Sequence, residues 1–94
     1  MSKYGIELQD LVGIKTPENV AEDLMHKMKV HRKEAKLSAK ELAKRSGVKE
    51  STLRYGENTG RISLMNLLRI ADALGYLKEF EDLAERPYFD MGDK

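Results

Sequence analysis

Apolar residues recur along the chain at the spacing of amphipathic α-helices, and no stretch alternates convincingly like a β-strand. A first helix is predicted over residues 17–35, because Thr16 suits the N-cap and Pro17 suits the first helical position. Its apolar stripe repeats at steps of three and four residues, as expected for one face of a helix. The members of this stripe are Val20, Leu24, Met28, His31 and Ala35, bordered by Met25 and Arg32.

Two short amphipathic segments follow, with a break of three residues between them. In the first segment, Ser38 and Glu41 have the spacing of a capping box, and Gly47 ends the helix because glycine adopts a left-handed backbone without steric cost. The second segment begins near residues 49–51 and buries Leu53. A helix, a glycine-containing turn and a second helix form the layout of a helix-turn-helix, whose second helix enters the major groove of DNA.

Two further helices are predicted after a polar turn. Ser63 caps the fourth helix and Gly75 ends it, while a fifth helix is predicted within residues 76–85. The fourth helix has the longest apolar stripe, which is expected to support the two short helices. This stripe consists of Leu64, Leu67, Leu68, Ala71 and Leu74, widened by Ile70. In the fifth helix, Phe80 and Leu83 either complete the core or face a second protomer.

Residues spread through this region resemble the repressor helix-turn-helix domain of the Cro/XRE type. The residues that carry the resemblance are Leu37, Ala43, Gly47, Val48, Leu53, Glu57 and Asn58, and the similarity extends from about residue 20 to residue 77. It implies an all-α fold, a compact bundle of about five helices that contains a lambda-repressor-like DNA-binding domain. It also implies a structural ion pair between Arg32 in the first helix and Glu57 near the end of the third.

The chain departs from the pattern of this family in several places. Lys36 stands where the family often has glycine, so the first helix is expected to end differently. Ala39 stands where the family often has a glutamine that touches phosphate. Gly56 replaces a larger apolar residue, which predicts looser packing and an early end of the third helix.

The resemblance also implies which residues contact DNA. Helix N-termini, backbone N–H groups and lysines hold phosphates, whereas the exposed face of the second helix of the motif reads base edges. The base-facing residues are Lys49, Glu50, Ser51, Arg54 and Tyr55. The phosphate-contacting residues are Ser38, Lys40, Lys44, Asn58, Thr59 and Arg61. Arg54 is the best candidate for a bidentate contact to guanine, whereas Glu50 either accepts from a cytosine amino group or repels phosphate.

Positive charge is concentrated in the same part of the chain. The net charge of the 94 residues is only +1. Residues 26–61 contain eleven basic and four acidic residues, whereas residues 1–25 contain two and five, and residues 62–94 contain four and seven. A polyanionic partner is expected to bind where this positive charge lies. A solvated, lysine-rich surface is the alternative explanation.

Other functional classes find little support in the sequence. The chain has no cysteine and no long apolar run, so we expect a cytoplasmic protein without disulfides, signal peptide or membrane span. No catalytic set, phosphate-binding loop or metal-ligand cluster is recognisable, so no enzyme activity, cofactor or small-molecule substrate is expected. Asp23 and His26 are spaced to form a pair, but exposed histidines are expected rather than a metal site. The apolar stripe within the basic residues 27–36 is needed for the core, which disfavours membrane binding.

The chain is expected to divide into three parts. Residues 1–16 form an arm or a short helix, residues 17–85 form the DNA-binding domain, and residues 86–94 form a tail. We predict a homodimeric, sequence-specific repressor of its own operon that binds double-stranded DNA. The alternative is an antitoxin that neutralises a partner toxin, because residues 61–83 are similar to the last helices of small helix-turn-helix proteins encoded next to HipA-type kinase toxins. The acidic ends of the chain would then bind the toxin.

Overall fold

A computed structural model describes residues 15–85, which form five α-helices and no β-strand. The helices are α1 (Pro17–Glu34), α2 (Ala39–Ser46), α3 (Glu50–Thr59), α4 (Leu64–Leu74) and α5 (Leu77–Leu83). The predicted all-α bundle is confirmed. The proposed tail and nearly all of the proposed N-terminal arm lie outside the described residues.

Side chains at the helix starts satisfy backbone N–H groups, as the sequence predicted. The Thr16 hydroxyl accepts a hydrogen bond from the backbone N–H of Asn19 at 3.0 Å. The Ser63 hydroxyl accepts one from the backbone N–H of Asn66 at 3.1 Å. Both caps pair donors that a helix leaves unsatisfied in its first turn, which fixes where α1 and α4 begin.

The end of α1 differs from the expectation. Lys36 has a φ of +63° and is the only non-glycine residue with a positive φ in the described part of the chain. The backbone N–H of Leu37 donates to the carbonyl of Arg32 at 3.1 Å, which closes the helix end around the left-handed residue. The expectation that α1 would end differently without glycine is therefore wrong, since this hydrogen bond offsets the strain on Lys36.

The core lies between α1, α2, α3 and α4, and the helix faces that line it differ in part from the predicted stripes. Met25, Met28 and Arg32 form the buried face of α1, whereas Val20 is half exposed. On α4, Leu64 is 69% exposed and core contact begins only at Leu67. Val20 and Leu64 lie in the first turn of their helices, and Ala35, another member of the predicted stripe, is exposed at the C-cap of α1. Periodicity identifies the inner face of a helix but not how far along it the neighbouring helices extend. The buried apolar residues are Met25, Met28, Ala39, Leu42, Ala43, Val48, Leu53, Ile70 and Ala71.

Gly56 is closely packed in α3, contrary to the expectation of a loose, early helix end. The helix continues to Thr59, and Gly56 itself is buried. A Cβ atom added at Gly56 would lie 3.2 Å from Cδ1 of Ile62 and 3.4 Å from Cε of Met25. The small residue therefore lets α3 approach α1 and the turn that follows α3, which explains why a larger apolar side chain is absent here.

Candidate nucleic-acid interface

The turn between α2 and α3 is short and held by side-chain hydrogen bonds. Gly47 has a φ of +77°, and Val48 is buried with 4% of its surface exposed. The Ser46 hydroxyl donates to the carbonyl of Ala43 at 3.3 Å and accepts from the backbone N–H of Val48 at 3.2 Å. This role of Ser46 was not predicted, although a serine directly before a helix-ending glycine indicates it in the sequence. These contacts fix the angle at which α3 leaves α2.

A buried ion pair connects α1 to α3. Nε of Arg32 donates to Oε2 of Glu57 at 2.8 Å, and Nη2 donates to Oε1 at 3.1 Å. Nη1 of the same guanidinium donates to the carbonyl of Leu37 at 2.9 Å. Arg32 and Glu57 are 6% and 8% exposed. The bidentate geometry holds the inner side of α3 on α1, so that the opposite side is presented outward.

The first turn of α2 combines a capping box with exposed lysines. The Ser38 hydroxyl accepts from the backbone N–H of Glu41 at 3.0 Å, which leaves the hydroxyl proton free to donate. The Glu41 carboxylate accepts from the backbone N–H of Ser38 at 2.7 Å. Lys40 and Lys44 are exposed one helical turn apart. The helix N-terminus and these ammonium groups together favour phosphate binding.

Glu41 gives this turn a pH-dependent stability. The hydrogen bond from the Ser38 backbone, followed by that with the Ser38 side chain, holds the pKa of the Glu41 carboxyl below its ordinary value. A lowered folded-state pKa stabilises the fold fully above the unfolded-state pKa, and the contribution is lost as the pH falls through the folded-state pKa. We expect the advantage in melting temperature of the wild type over Glu41→Gln to shrink as the pH falls from about 6 to about 3. A constant difference across that range would contradict this prediction.

The five predicted base-facing residues lie in or directly before α3. Lys49 is the N-cap residue of α3 and its side chain makes no capping hydrogen bond. Ser51, Arg54 and Tyr55 are exposed, and Tyr55 is 56% exposed. Oε2 of Glu50 accepts from Nε of Arg54 at 2.9 Å, one turn along the helix. The outer side of α3 therefore presents cationic, hydroxyl and aromatic groups while Leu53 faces the core.

The last predicted phosphate-contacting residues lie at the end of α3 and in the following turn. Asn58 and Arg61 are exposed, and neither side chain makes a hydrogen bond within residues 15–85. The Thr59 hydroxyl donates its proton to the carbonyl of Tyr55 at 2.6 Å and accepts from the backbone N–H of Arg61 at 3.1 Å. The Thr59 hydroxyl therefore shapes the turn in the absence of DNA, and its contact with phosphate stays a prediction.

The two histidines lie away from any cluster of metal ligands. No group of three or more His, Cys, Asp or Glu residues in the described part of the chain could hold a metal ion. Asp23 forms an ion pair with Lys27 at 2.9 Å and none with His26. Nδ1 of His31 lies 3.1 Å from the Tyr76 hydroxyl, and the two rings pack at a centroid distance of 4.8 Å. His31 thus contributes to the packing of the residue that precedes α5.

No helix within residues 15–85 combines the length and apolar character needed to cross a membrane.

Comparison with known proteins identifies one family. A family model described as helix-turn-helix matches residues 28–80, which is more than half of the chain. No curated protein and no solved structure matches the chain. The matched region begins inside α1 and ends inside α5. The chain therefore belongs to the Cro/XRE-type helix-turn-helix family of DNA-binding transcription regulators, which are generally non-enzymatic.

Proposed function

We propose that this regulator is a sequence-specific repressor of its own operon and reads the major groove of double-stranded DNA with α3. The observation that carries the proposal is the two-sided character of α3. Its inner side is fixed through Leu53 and the Arg32–Glu57 pair, whereas its outer side exposes Ser51, Arg54 and Tyr55. A helix held rigidly in this way presents base-reading side chains without first having to be ordered.

Phosphate contacts on both sides of α3 would set its register in the groove. Ser38 is the N-cap residue of α2, and Lys40 and Lys44 lie within this helix. Asn58 and Arg61 follow the base-reading residues. All five are exposed, and they supply hydroxyl, ammonium, amide and guanidinium donors. Contacts of this type weaken as salt rises, because each neutralised phosphate releases counterions.

We propose further that the protein binds as a homodimer in the cytoplasm. One recognition helix reads few base pairs, and two-fold related half-sites one helical turn apart double the contact. Exposed apolar side chains support a protein partner, since Leu64 is 69%, Met65 is 57% and Leu83 is 74% exposed. A monomeric mass in sedimentation at micromolar concentration, with and without DNA, would contradict the dimer.

An antitoxin that also regulates its own operon is the second candidate. The same exposed residues, Leu64, Met65 and Leu83, fall within the stretch that resembles helix-turn-helix proteins encoded beside HipA-type toxins. A toxin is then the protein that covers them. A toxin gene adjacent to the gene for this chain would favour this function over a repressor that acts alone.

The proposed function is tested by fluorescence anisotropy on DNA from upstream of the gene and on a scrambled duplex of the same composition. We expect tight binding to the first duplex, well separated from the second, with affinity falling as salt rises. Equal, weak binding to both duplexes would contradict autoregulation by this chain alone. Addition of the partner encoded nearby would then show whether a toxin completes the DNA-binding form.

Arg54→Ala is expected to weaken binding to the operator by about 1–3 kcal/mol and to relax the preference at one base position. The loss would come from a bidentate contact to guanine. Arg69→Ala is the matched control, because it removes the same charge from an exposed position on α4 that is not among the predicted contacts. An operator titration in which Arg54→Ala and Arg69→Ala behave alike would contradict the base contact.

A further inference from the structure

The ion pair between Glu50 and Arg54 uses only Nε of the arginine. Glu50 lies in the first turn of α3 and accepts from Nε of Arg54 at 2.9 Å. Nη1 and Nη2 of Arg54 donate to no group within residues 15–85. The two side chains remain 57% and 40% exposed, for Arg54 and Glu50 respectively, so the pair lies at the surface rather than in the core. The Glu50 carboxylate thus binds Nε of the Arg54 guanidinium, and Nη1 and Nη2 remain available to donate to a ligand.

This arrangement suits recognition of guanine. The major-groove edge of guanine presents N7 and O6 as two adjacent acceptors, and a guanidinium fork matches them with two parallel N–H donors. A free arginine side chain on a helix samples many rotamers and loses that freedom when it binds. A carboxylate one turn earlier on the same helix restricts the rotamers before DNA arrives.

We propose that Glu50 is a positioning residue that orients Arg54 toward guanine, and that it is neither a base reader nor a residue opposed to DNA binding. The inference rests on the proposed function, in which Arg54 makes the base contact. It deepens that function by assigning the preference for guanine to a pair of residues rather than to one. The α3 N-terminus supports this role, since the helix dipole keeps a carboxylate favourable in the first turn.

Three roles for Glu50 predict different changes in base preference. A positioning residue affects the guanine that Arg54 reads, and has no effect once Arg54 is absent. A residue that accepts from a cytosine amino group affects a neighbouring base position and acts independently of Arg54. A residue that only repels phosphate weakens binding to every duplex alike, so its removal tightens all of them equally.

The test is selection from a random duplex library with the full chain, followed by affinity measurements on the selected DNA. The proteins are the wild type, Glu50→Ala, Glu50→Gln, Arg54→Ala and the double variant. Asp82→Ala is the matched control, because it breaks the exposed Lys78–Asp82 pair, which has the same i,i+4 spacing and lies on α5. The duplexes carry guanine, 7-deazaguanine or adenine at the position that Arg54→Ala relaxes. The 7-deaza base removes N7 alone, so it reports the bidentate contact directly.

We expect the wild type to prefer guanine over adenine by about fivefold or more at one position in each half-site, and Arg54→Ala to lose this preference. Glu50→Ala is expected to reduce the preference about threefold or more, Glu50→Gln to reduce it less, and Asp82→Ala to leave it unchanged. In the Arg54→Ala background, Glu50→Ala is expected to have no further effect. A general loss of fold would instead lower the affinity for all duplexes and leave their ratio unchanged.

The outcomes separate this inference from the proposed function. If the wild type selects no sequence, both the sequence-specific function and the inference are overturned. If the guanine preference depends on Arg54 but survives Glu50→Ala, the function stands and the positioning role is overturned. A change at a neighbouring position, or equal tightening on all duplexes, also overturns the positioning role.

Discussion

Glu57→Ala is expected to lower the free energy of unfolding by about 3–5 kcal/mol. The substitution leaves the guanidinium of Arg32 buried with only the carbonyl of Leu37 as its partner. A buried charge that loses its counterion retains the desolvation penalty without the compensating attraction. Urea denaturation of the wild type and the variant measures the difference.

A double variant that removes both charges tests whether the loss of stability in Glu57→Ala comes from the unpaired charge of Arg32. Arg32→Met combined with Glu57→Leu removes both charges and keeps much of the buried volume, so this double variant is expected to be more stable than Glu57→Ala alone. The Leu37 carbonyl still loses a donor, which prevents full recovery. Equal instability of the double variant would contradict the charge argument.

An exposed ion pair provides the matched control. Lys78 and Asp82 form a pair at 2.8 Å on α5, with side chains 73% and 47% exposed. The distance equals the shortest distance between Arg32 and Glu57, so burial is the main difference. Asp82→Ala is expected to change the free energy of unfolding by about 0.5 kcal/mol or less, because water screens the pair. A large effect of Asp82→Ala would show that ion-pair distance rather than burial sets the stability.

The sequence predicted the features of this fold that depend on neighbours in the chain. Ser38 and Glu41 are three residues apart, and their capping box is visible in the sequence because both partners belong to one helical turn. Gly47 ends α2 for an equally local reason. Arg32 and Glu57 are different, since 25 positions separate them. Only the family resemblance pointed to their pairing; the apolar pattern placed Arg32 merely at the border of a stripe.

The expectations that failed came from propensity alone, which does not include the contacts that form in the fold. Propensity alone made Gly56 a sign of an early helix end, but the close approach of Ile62 and Met25 makes a small residue suitable there. Propensity also made Lys36 unsuitable for a left-handed helix end, which the fold nevertheless imposes. The end of α3 was also placed too early, since the helix continues to Thr59.

Gly60→Ala is expected to lower the free energy of unfolding by about 3 kcal/mol, from two sources of strain. Gly60 has a φ of +78°, which disfavours any residue with a Cβ atom. An added Cβ atom would also lie 2.8 Å from the backbone nitrogen of Glu22 and 3.0 Å from the carbonyl carbon of Ala21. Backbone atoms of a helix cannot move aside as a flexible side chain can, so the turn or α1 must shift.

Gly47→Ala and Gly75→Ala isolate the contribution of the contact with α1. These glycines have φ values of +77° and +86°, and a Cβ atom at either would have no atom within 4 Å. Each substitution is therefore expected to lower the free energy of unfolding by only about 1–2 kcal/mol, from the left-handed backbone alone. Thermal or urea unfolding of the three variants side by side gives the comparison.

The comparison also tests whether the first turns of α1 belong to the DNA-binding domain. Ala21 and Glu22 precede residues 28–80, the region that matches the family, yet they pack on the turn that carries Arg61. Suppose that Gly60→Ala lowers the free energy of unfolding more than Gly47→Ala does and also weakens DNA binding. This part of α1 would then stabilise the turn that makes the phosphate contacts. Equal decreases in the free energy of unfolding in all three variants would mean that the turn tolerates displacement from α1. The DNA-binding domain would then correspond to residues 28–80, the region that matches the family.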